Sequence, residues 1–156
     1  MSKRKVVHDS FTIERIYPAA PTRVFKAWAK PESKARWFVG PGEWQQQKRE
    51  FDFRVGGQEI VSGQIPGQVA HHFLAVYHDI ADNQRIVYSY HMLAGDTPIS
   101  VSLATVQIET EGTGTKLIFT EQCAFLDDYD GVASREEGTR YLLDNLGAAL
   151  AAAEAH

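Results

Sequence analysis

The sequence predicts an α+β domain in which one antiparallel sheet packs against a long C-terminal helix. Three observations predict this fold. Short turn signals separate successive β-type segments through the middle of the chain, and the spacing of apolar residues becomes helical after Ser134. The length of 156 residues fits one domain. Turns this short join antiparallel strands, and an amphipathic helix without a helical partner buries its apolar stripe against the sheet.

The first segment predicts a strand followed by two short helices. Residues Phe11–Tyr17 mix β-branched, aromatic and charged side chains, which is typical of a strand. Pro21 and Pro31 each favour the start of a helix, because proline suits the first helical turn. We therefore expect helices over residues 22–29 and 32–38.

Six further strands are expected, which gives a sheet of seven strands. Gly56-Gly57, Asp82-Asn83 and residues 111–114 are turn signals, since glycine and asparagine adopt the backbone angles that tight turns need. The predicted strands are 44–55, 58–64, 69–80, 85–93, 99–109 and 115–125.

The last segment predicts one long helix that runs to the C-terminus. Ser134 and Glu137 have the spacing of a capping box, which marks a helix start. Leu142, Leu146 and Leu150 recur every four residues and are predicted to face the sheet.

The turn positions fix a strand register and therefore an inner face of the sheet. They place Tyr88 and Glu121 on either side of Ala104, and Tyr90 opposite both Ala75 and Ser102. Large residues beside small ones indicate either interdigitated packing or a hollow with polar groups at chosen points. The residues alone leave both interpretations open.

Glu121 is the residue with the strongest chemical signal, because it is a carboxylate among aromatic rings. It would be a ligand anchor or a general acid or base; alternatively, it is a structural glutamate paired with Arg15. Tyr77, Tyr88 and Tyr90 offer hydroxyl groups on the same face, either to orient a ligand or as ordinary core residues.

Composition and charge argue against several classes of function. A net charge of −4 argues against nucleic acid as a partner, and no apolar run is long enough to span a membrane. Residues 1–10 have no apolar core of a signal peptide and are predicted to be an extension before a single domain at 11–156. The lone Cys123 fits a reducing cytoplasm, and the six histidines follow no metal-ligand spacing. We expect no cofactor and no metal; a monomer and a homodimer are both open.

Several motifs resemble one known family. The run APTRVFKAW at 20–28 resembles that family's A-P-x-x-V-F-x-A-W opening, and FDFRVGG at 51–57 resembles its D-x-R-x-G-G hairpin. Trp37 and Phe38 resemble its second-helix aromatic pair. The family is the SRPBCC (START and birch-pollen-allergen-like) superfamily, in its heat-shock-protein ATPase-activator-like branch, and the resemblance covers about residues 11–150. One departure is Thr139, where many members carry tryptophan.

The resemblance implies a helix-grip fold, in which a curved sheet wraps the C-terminal helix and encloses an apolar cavity. It favours the hollow over the packed core and implies binding of a small hydrophobic or aromatic ligand. The alternatives are a cyclase-like or hydrolase-like enzyme acting on such a ligand, or a chaperone-cofactor-like interaction module. The residues predicted to line the cavity are Trp37, Phe53, Tyr77, Tyr88, Tyr90, Phe119 and Glu121.

Overall fold

A computed structural model describes residues 4–154, which form a seven-stranded antiparallel sheet, two short helices and one long helix. The elements are β1 Val6–Tyr17, α1 Pro21–Ala29, α2 Pro31–Lys34, β2 Gln45–Phe51, β3 Gln58–Gln64, β4 His71–Ala81, β5 Arg85–Ala94, β6 Thr97–Glu111, β7 Gly114–Leu126 and α3 Val132–Glu154. The strand order is β1-β7-β6-β5-β4-β3-β2, so β1 lies beside the last strand. The predicted α+β helix-grip class is confirmed.

The strand register agrees with the sequence prediction. Ala104 pairs with Tyr88 on one side and with Glu121 on the other, and Tyr90 pairs with Ala75 and Ser102. The turn between β4 and β5 contains residues 82–84 instead of the predicted two residues. A bulge after Tyr77 in β4 compensates for the extra residue, so the register beyond the bulge is the predicted one.

The first strand is longer than predicted. β1 begins at Val6, and residues 6–10, predicted as part of an N-terminal extension, belong to the sheet. They are paired because β7 continues to Leu126, which lies opposite Val6 and gives this segment's backbone groups partners. Residues 1–3 lie outside the described part of the chain.

The connection between β2 and β3 is a loop over residues 52–57 and not the predicted two-residue turn. The N–H of Gly56 donates to the carbonyl of Tyr77 (2.8 Å), and the N–H of Tyr77 donates to the carbonyl of Gly57 (3.0 Å). Gly56 has a φ of +83°, and a Cβ on Gly57 would lie 2.1 Å from the backbone oxygen of Asp52. Both glycines are therefore required by the path of the backbone.

The stripe of α3 that packs on the sheet is Leu143, Leu146 and Leu150, all buried. Leu142, predicted in place of Leu143, is only partly buried. The spacing of three and then four residues follows the helical period of 3.6 more closely than the predicted steps of four. The hydroxyl of Tyr17 donates to the carbonyl of Leu143 (2.7 Å) and joins the helix to β1.

The start of α3 also differs from the prediction. The helix begins at Val132, and the N–H of Arg135 donates to the carbonyl of Gly131 (3.0 Å). Ser134 therefore lies inside the first turn and cannot be the capping residue of a capping box with Glu137. In residues 4–154, no helix combines the length and the apolar character needed to cross a membrane.

Two glycines inside α3 predict different gains in stability from an added methyl group. A Cβ on Gly138 meets no atom within 4 Å, whereas a Cβ on Gly147 would lie 3.2 Å from the ring of Tyr17. Gly138→Ala should raise the free energy of unfolding by about 1 kcal/mol through helix propensity alone. Gly147→Ala, the matched control, should gain less because the Tyr17 ring must move. Urea denaturation measures both, and an equal gain at both positions would contradict the packing described for Gly147.

Candidate ligand-binding cavity

A cavity of about 610 Å³ lies between α3, the inner face of the sheet and the segment after α2. Nine of its lining residues are aromatic, among them Trp28, Trp37 and Trp44, which are all the tryptophans of the chain. The size and the apolar lining are those of small-molecule sites, which typically measure about 300–1,000 Å³. The inner face of the sheet is therefore partly a packed core and partly the wall of a hollow.

Five of the seven predicted residues line this cavity: Trp37, Tyr88, Tyr90, Phe119 and Glu121. The structure places the other two, Phe53 and Tyr77, outside it. Their rings contact each other at 5.0 Å, and Phe53 also packs on Phe25 at 5.8 Å. Tyr77 lies beside the loop at 52–57, to which its backbone is bonded, and this position takes it away from the hollow.

Trp37 reaches the cavity because α2 is short. The helix ends at Lys34, earlier than the predicted residue 38, and the following turn directs Trp37 inward. Its indole N–H donates to the carbonyl of Ala27 (3.0 Å), and its ring meets Trp28 edge-on at 4.7 Å. These contacts fix the orientation of the ring.

Trp44 lines the cavity between two glycines. A Cβ on Gly40 would lie 2.4 Å from the Trp44 ring, and a Cβ on Gly63 would lie 2.2 Å from it. Only residues without a Cβ leave room for the indole in this position. Trp44 was predicted only as the first residue of a strand, because Gly63 is distant from it in the sequence and no local pattern connects the two.

Glu121 lies at the polar end of the cavity and is 1% exposed. One carboxylate oxygen, Oε2, accepts from the hydroxyls of Tyr90 (2.7 Å) and Ser102 (2.8 Å). The same oxygen accepts from Nη1 of Arg135 (3.1 Å) and the thiol of Cys123 (3.3 Å). The other oxygen, Oε1, is buried and has no hydrogen-bond partner among residues 4–154. The carboxylate is therefore satisfied on one side only.

Arg135 is the counter-ion of Glu121, in place of the predicted Arg15. Arg15 instead contacts Asp144 of α3 at 3.2 Å. The register explains this difference: Phe11, not Arg15, lies opposite Glu121 on β1. Arg15 is four residues further along the strand, about 13 Å away.

Arg135 is held in place by several groups. Its Nη2 donates to the hydroxyl of Ser100 (2.6 Å) and to Asp130 (2.9 Å). Its guanidinium lies 5.6 Å from the ring centroid of Tyr90 and 5.5 Å from that of Phe125. Burial lowers the pKa of Arg135, but Tyr90, Glu121 and Asp130 outweigh burial and raise it, so the residue is a permanent cation.

The helical period is the signal from which the position of Arg135 on the sheet-facing side of α3 could have been predicted. It precedes Leu142 by seven residues and Leu146 by eleven, which are helical repeats of one face. An arginine on the apolar stripe of a helix needs a buried acidic partner. Glu121 on the inner face of the sheet is that partner.

A second buried ion pair lies next to the cavity and does not line it. Nζ of Lys34 lies 2.6 Å from Oε1 of Glu59, and both side chains are 0% exposed. The hydroxyl of Tyr77 donates to the same oxygen at 2.6 Å. Five aromatic rings surround the ammonium group, the nearest being Phe38 at 4.6 Å from Nζ to the ring centroid. Burial lowers the pKa of Lys34, and Glu59 opposes that effect.

Two of the histidines hydrogen-bond to serine hydroxyls on neighbouring strands. His72 bonds the hydroxyl of Ser62 (2.7 Å), and His78 bonds that of Ser89 (2.7 Å). Among residues 4–154, no group of three or more histidine, cysteine or acidic side chains is arranged to hold a metal ion.

Comparison with known proteins agrees with this architecture. The profile of the family described as "Activator of Hsp90 ATPase homolog 1-like protein" matches residues 18–151. The chain belongs to this family. It is of the SRPBCC type, as the motifs predicted. No curated protein matches the sequence.

Solved structures show how closely the family fold is kept. The Mll3558 protein from Rhizobium loti is 46% identical, with 93% of this chain and 99% of that chain covered and a TM-score of 0.86. A protein from Rhizobium leguminosarum is 44% identical, with 96% and 98% covered and a TM-score of 0.91. An AHSA1-like protein from Aeromonas hydrophila, 22% identical with 95% and 96% covered and a TM-score of 0.73, shares the fold.

Proposed function

We propose that the protein binds a small apolar or aromatic molecule in the cavity between the sheet and α3. The observation that carries this proposal is a hollow of about 610 Å³ with an aromatic lining, in which two buried polar atoms have no partner within residues 4–154: Oε1 of Glu121 and Nε1 of Trp28. An aromatic lining supplies affinity for an apolar body, and a small number of polar groups supplies orientation. Family membership supports the proposal, since SRPBCC-type domains typically have a ligand-binding cavity.

The contacts favour binding over nucleophilic catalysis. The hydroxyl of Ser102 donates to Glu121, as the thiol of Cys123 does, and no histidine contacts either group in the described hydrogen bonds. Burial raises the pKa of Cys123 to about 12, opposite to the lowered pKa of catalytic thiols. The enzyme and the chaperone-cofactor alternatives stay predictions.

Gly138 offers a direct test, because it lines the cavity and a Cβ there meets no atom within 4 Å. Gly138→Trp should fill part of the hollow and weaken binding of the neutral fluorescent probe N-phenyl-1-naphthylamine at least tenfold. Ala104 is unsuitable for this purpose. It is completely buried and does not line the cavity, so a large side chain there would overpack the core.

The matched control places the same indole on the outer side of the same helix. Ala148 is exposed and does not line the cavity, so Ala148→Trp should bind the probe as the unmodified protein does. Circular dichroism of both variants verifies the fold. A protein that does not bind the probe, or a Gly138→Trp variant that binds it with unchanged affinity while folded, would overturn the proposal.

A further inference from the structure

We infer that the ligand of this cavity carries a neutral hydroxyl group on an aromatic body and donates it to Oε1 of Glu121. This inference rests on the proposed function and specifies the class of ligand. The starting point is the uneven use of the Glu121 carboxylate: within the described part of the chain, four donors converge on Oε2 and none reaches Oε1.

The unpartnered oxygen is a strong acceptor. Glu121 is 1% exposed and lines the cavity, and its buried Oε1 accepts no hydrogen bond from residues 4–154. A buried polar atom without a hydrogen bond raises the free energy of the folded protein. A hydrogen bond to a charged group is stronger than one between neutral groups. A ligand that donates a hydrogen bond here removes the cost.

The charges around Glu121 favour a neutral donor. A carboxylate ligand would meet the negative charges of Glu121 and Asp130. An ammonium ligand would lie close to the positive charge of the Arg135 guanidinium, which is 3.1 Å from Glu121 and 2.9 Å from Asp130. It would also lose its hydration in an aromatic cavity, whereas a hydroxyl loses much less. A hydroxyl group satisfies Oε1 without adding charge.

The rings next to Glu121 favour an aromatic body. Phe119 precedes Glu121 by two residues and lies on the same face of β7. The rings of Phe119 and Trp28 are nearly parallel, at 19°, with centroids 6.4 Å apart, and both line the cavity. Aromatic walls of this kind suit an aromatic ligand whose hydroxyl reaches Glu121.

Displacement of N-phenyl-1-naphthylamine by a series of naphthalenes tests this inference. The affinity of naphthalene measures the contribution of the apolar lining alone. 2-Naphthol adds a hydrogen-bond donor, 2-acetonaphthone adds only a hydrogen-bond acceptor, and 2-(aminomethyl)naphthalene adds a positive charge. We expect 2-naphthol to bind at least tenfold more tightly than naphthalene, as a bond to a charged acceptor allows. A hydroxyl group that found no hydrogen-bond partner in the cavity would bind less tightly than plain naphthalene, because it loses its hydration. Whether 2-naphthol binds more or less tightly than naphthalene therefore shows whether its hydroxyl has a partner.

The Glu121→Gln variant should reverse this selectivity. The donors of Tyr90, Ser102 and Arg135 all require an acceptor at the position of Oε2, so the amide oxygen turns toward them and the NH₂ group toward the cavity. The preference for 2-naphthol over naphthalene should fall to below threefold, and 2-acetonaphthone should gain affinity. Glu109→Gln, the same change in an exposed glutamate that does not line the cavity, should keep the original preference.

The outcomes separate the two proposals. If naphthalene binds and 2-naphthol binds no more tightly, or if the cationic probe binds best, the inference is overturned and the cavity function stands. If no member of the series displaces the probe and Gly138→Trp has no effect on it, the proposed function fails. The selectivity of the unmodified protein decides the question even if Glu121→Gln does not fold.

Discussion

Replacing Lys34 by methionine should lower the free energy of unfolding by about 3–5 kcal/mol, as is typical when one partner of a buried ion pair is removed. Lys34 and Glu59 are both fully buried, and their charged atoms are 2.6 Å apart. Methionine has a similar length, so the variant loses the charge more than the volume. The carboxylate of Glu59 would then remain buried with the hydroxyl of Tyr77 as its described donor.

A double variant distinguishes the lost charge from the lost packing. Lys34→Met combined with Glu59→Gln removes both charges and keeps an acceptor for Tyr77, so it should recover most of the stability lost in Lys34→Met. The exposed pair of Arg140 and Glu136, at 2.6 Å within α3, provides the control. Arg140→Met should cost under about 0.5 kcal/mol. Urea denaturation measures all three, and a loss in Lys34→Met as small as that in Arg140→Met would show that the pair contributes little.

This ion pair also explains how the fold supports the cavity. It joins α2 to β3, while Tyr77 of β4 bonds the same Glu59 oxygen. The surrounding rings of Trp28, Phe38 and Tyr88 also line the cavity. Loss of Lys34 should therefore disturb the cavity wall as well as the stability.

The sequence predicted the sheet well because two independent signals agreed. Turn residues set where each strand reverses, and alternation of apolar and polar residues set which face is buried. The pairs of Ala104 with Tyr88 and Glu121 follow from both signals. The bulge after Tyr77 was not predicted, because it is offset by a longer turn at 82–84 and leaves the alternation beyond it unchanged.

The buried charges were harder to predict, because a charge partner is chosen by tertiary geometry. Arg15 and Arg135 are both arginines near apolar residues, and only the register of β1 and the start of α3 decide which reaches Glu121. Lys34 and Glu59 are separated by 25 residues, and no local pattern connects them. Alternation places Glu59 on the same face as the buried Val61, which was the available signal for the second pair.

Stability should also fall steeply above about pH 10, by about 5 kcal/mol at pH 11 if the effects add. Burial raises the pKa of Tyr17, Tyr77, Tyr88 and Tyr90 above the ordinary value of 10.0. Each group keeps its proton in the fold and loses it in the unfolded chain, so its stabilising contribution is complete below pH 10 and declines above it. Each pH unit above 10 lowers the free energy of unfolding by about 1.4 kcal/mol per tyrosine.

Two other groups modify this profile. The pKa of Cys123 is raised from 9.0 to about 12, so its contribution to the free energy of unfolding begins to decline above pH 9. Lys34 affects stability in the opposite direction. Its pKa in the fold is lowered from 10.5, so the unfolded chain binds a proton more readily than the folded protein does, and the contribution of Lys34 to stability rises as the pH approaches 10.5. The lysine therefore offsets part of the loss below pH 10.5, and the tyrosines dominate above it.

Denaturation by urea between pH 8 and 11, with tyrosinate absorbance at 295 nm recorded in parallel, measures the effect. The absorbance of the buried tyrosines should rise together with the loss of circular dichroism. Tyr88→Phe should flatten the decline above pH 10 by about 1.4 kcal/mol per pH unit, because it removes one of the four groups. Tyr129→Phe, the same change in a tyrosine that is 58% exposed, is the matched control. A slope that is the same in the Tyr88→Phe variant and the unmodified protein would mean that Tyr88 ionises within the fold, which its exposure of only 3% argues against.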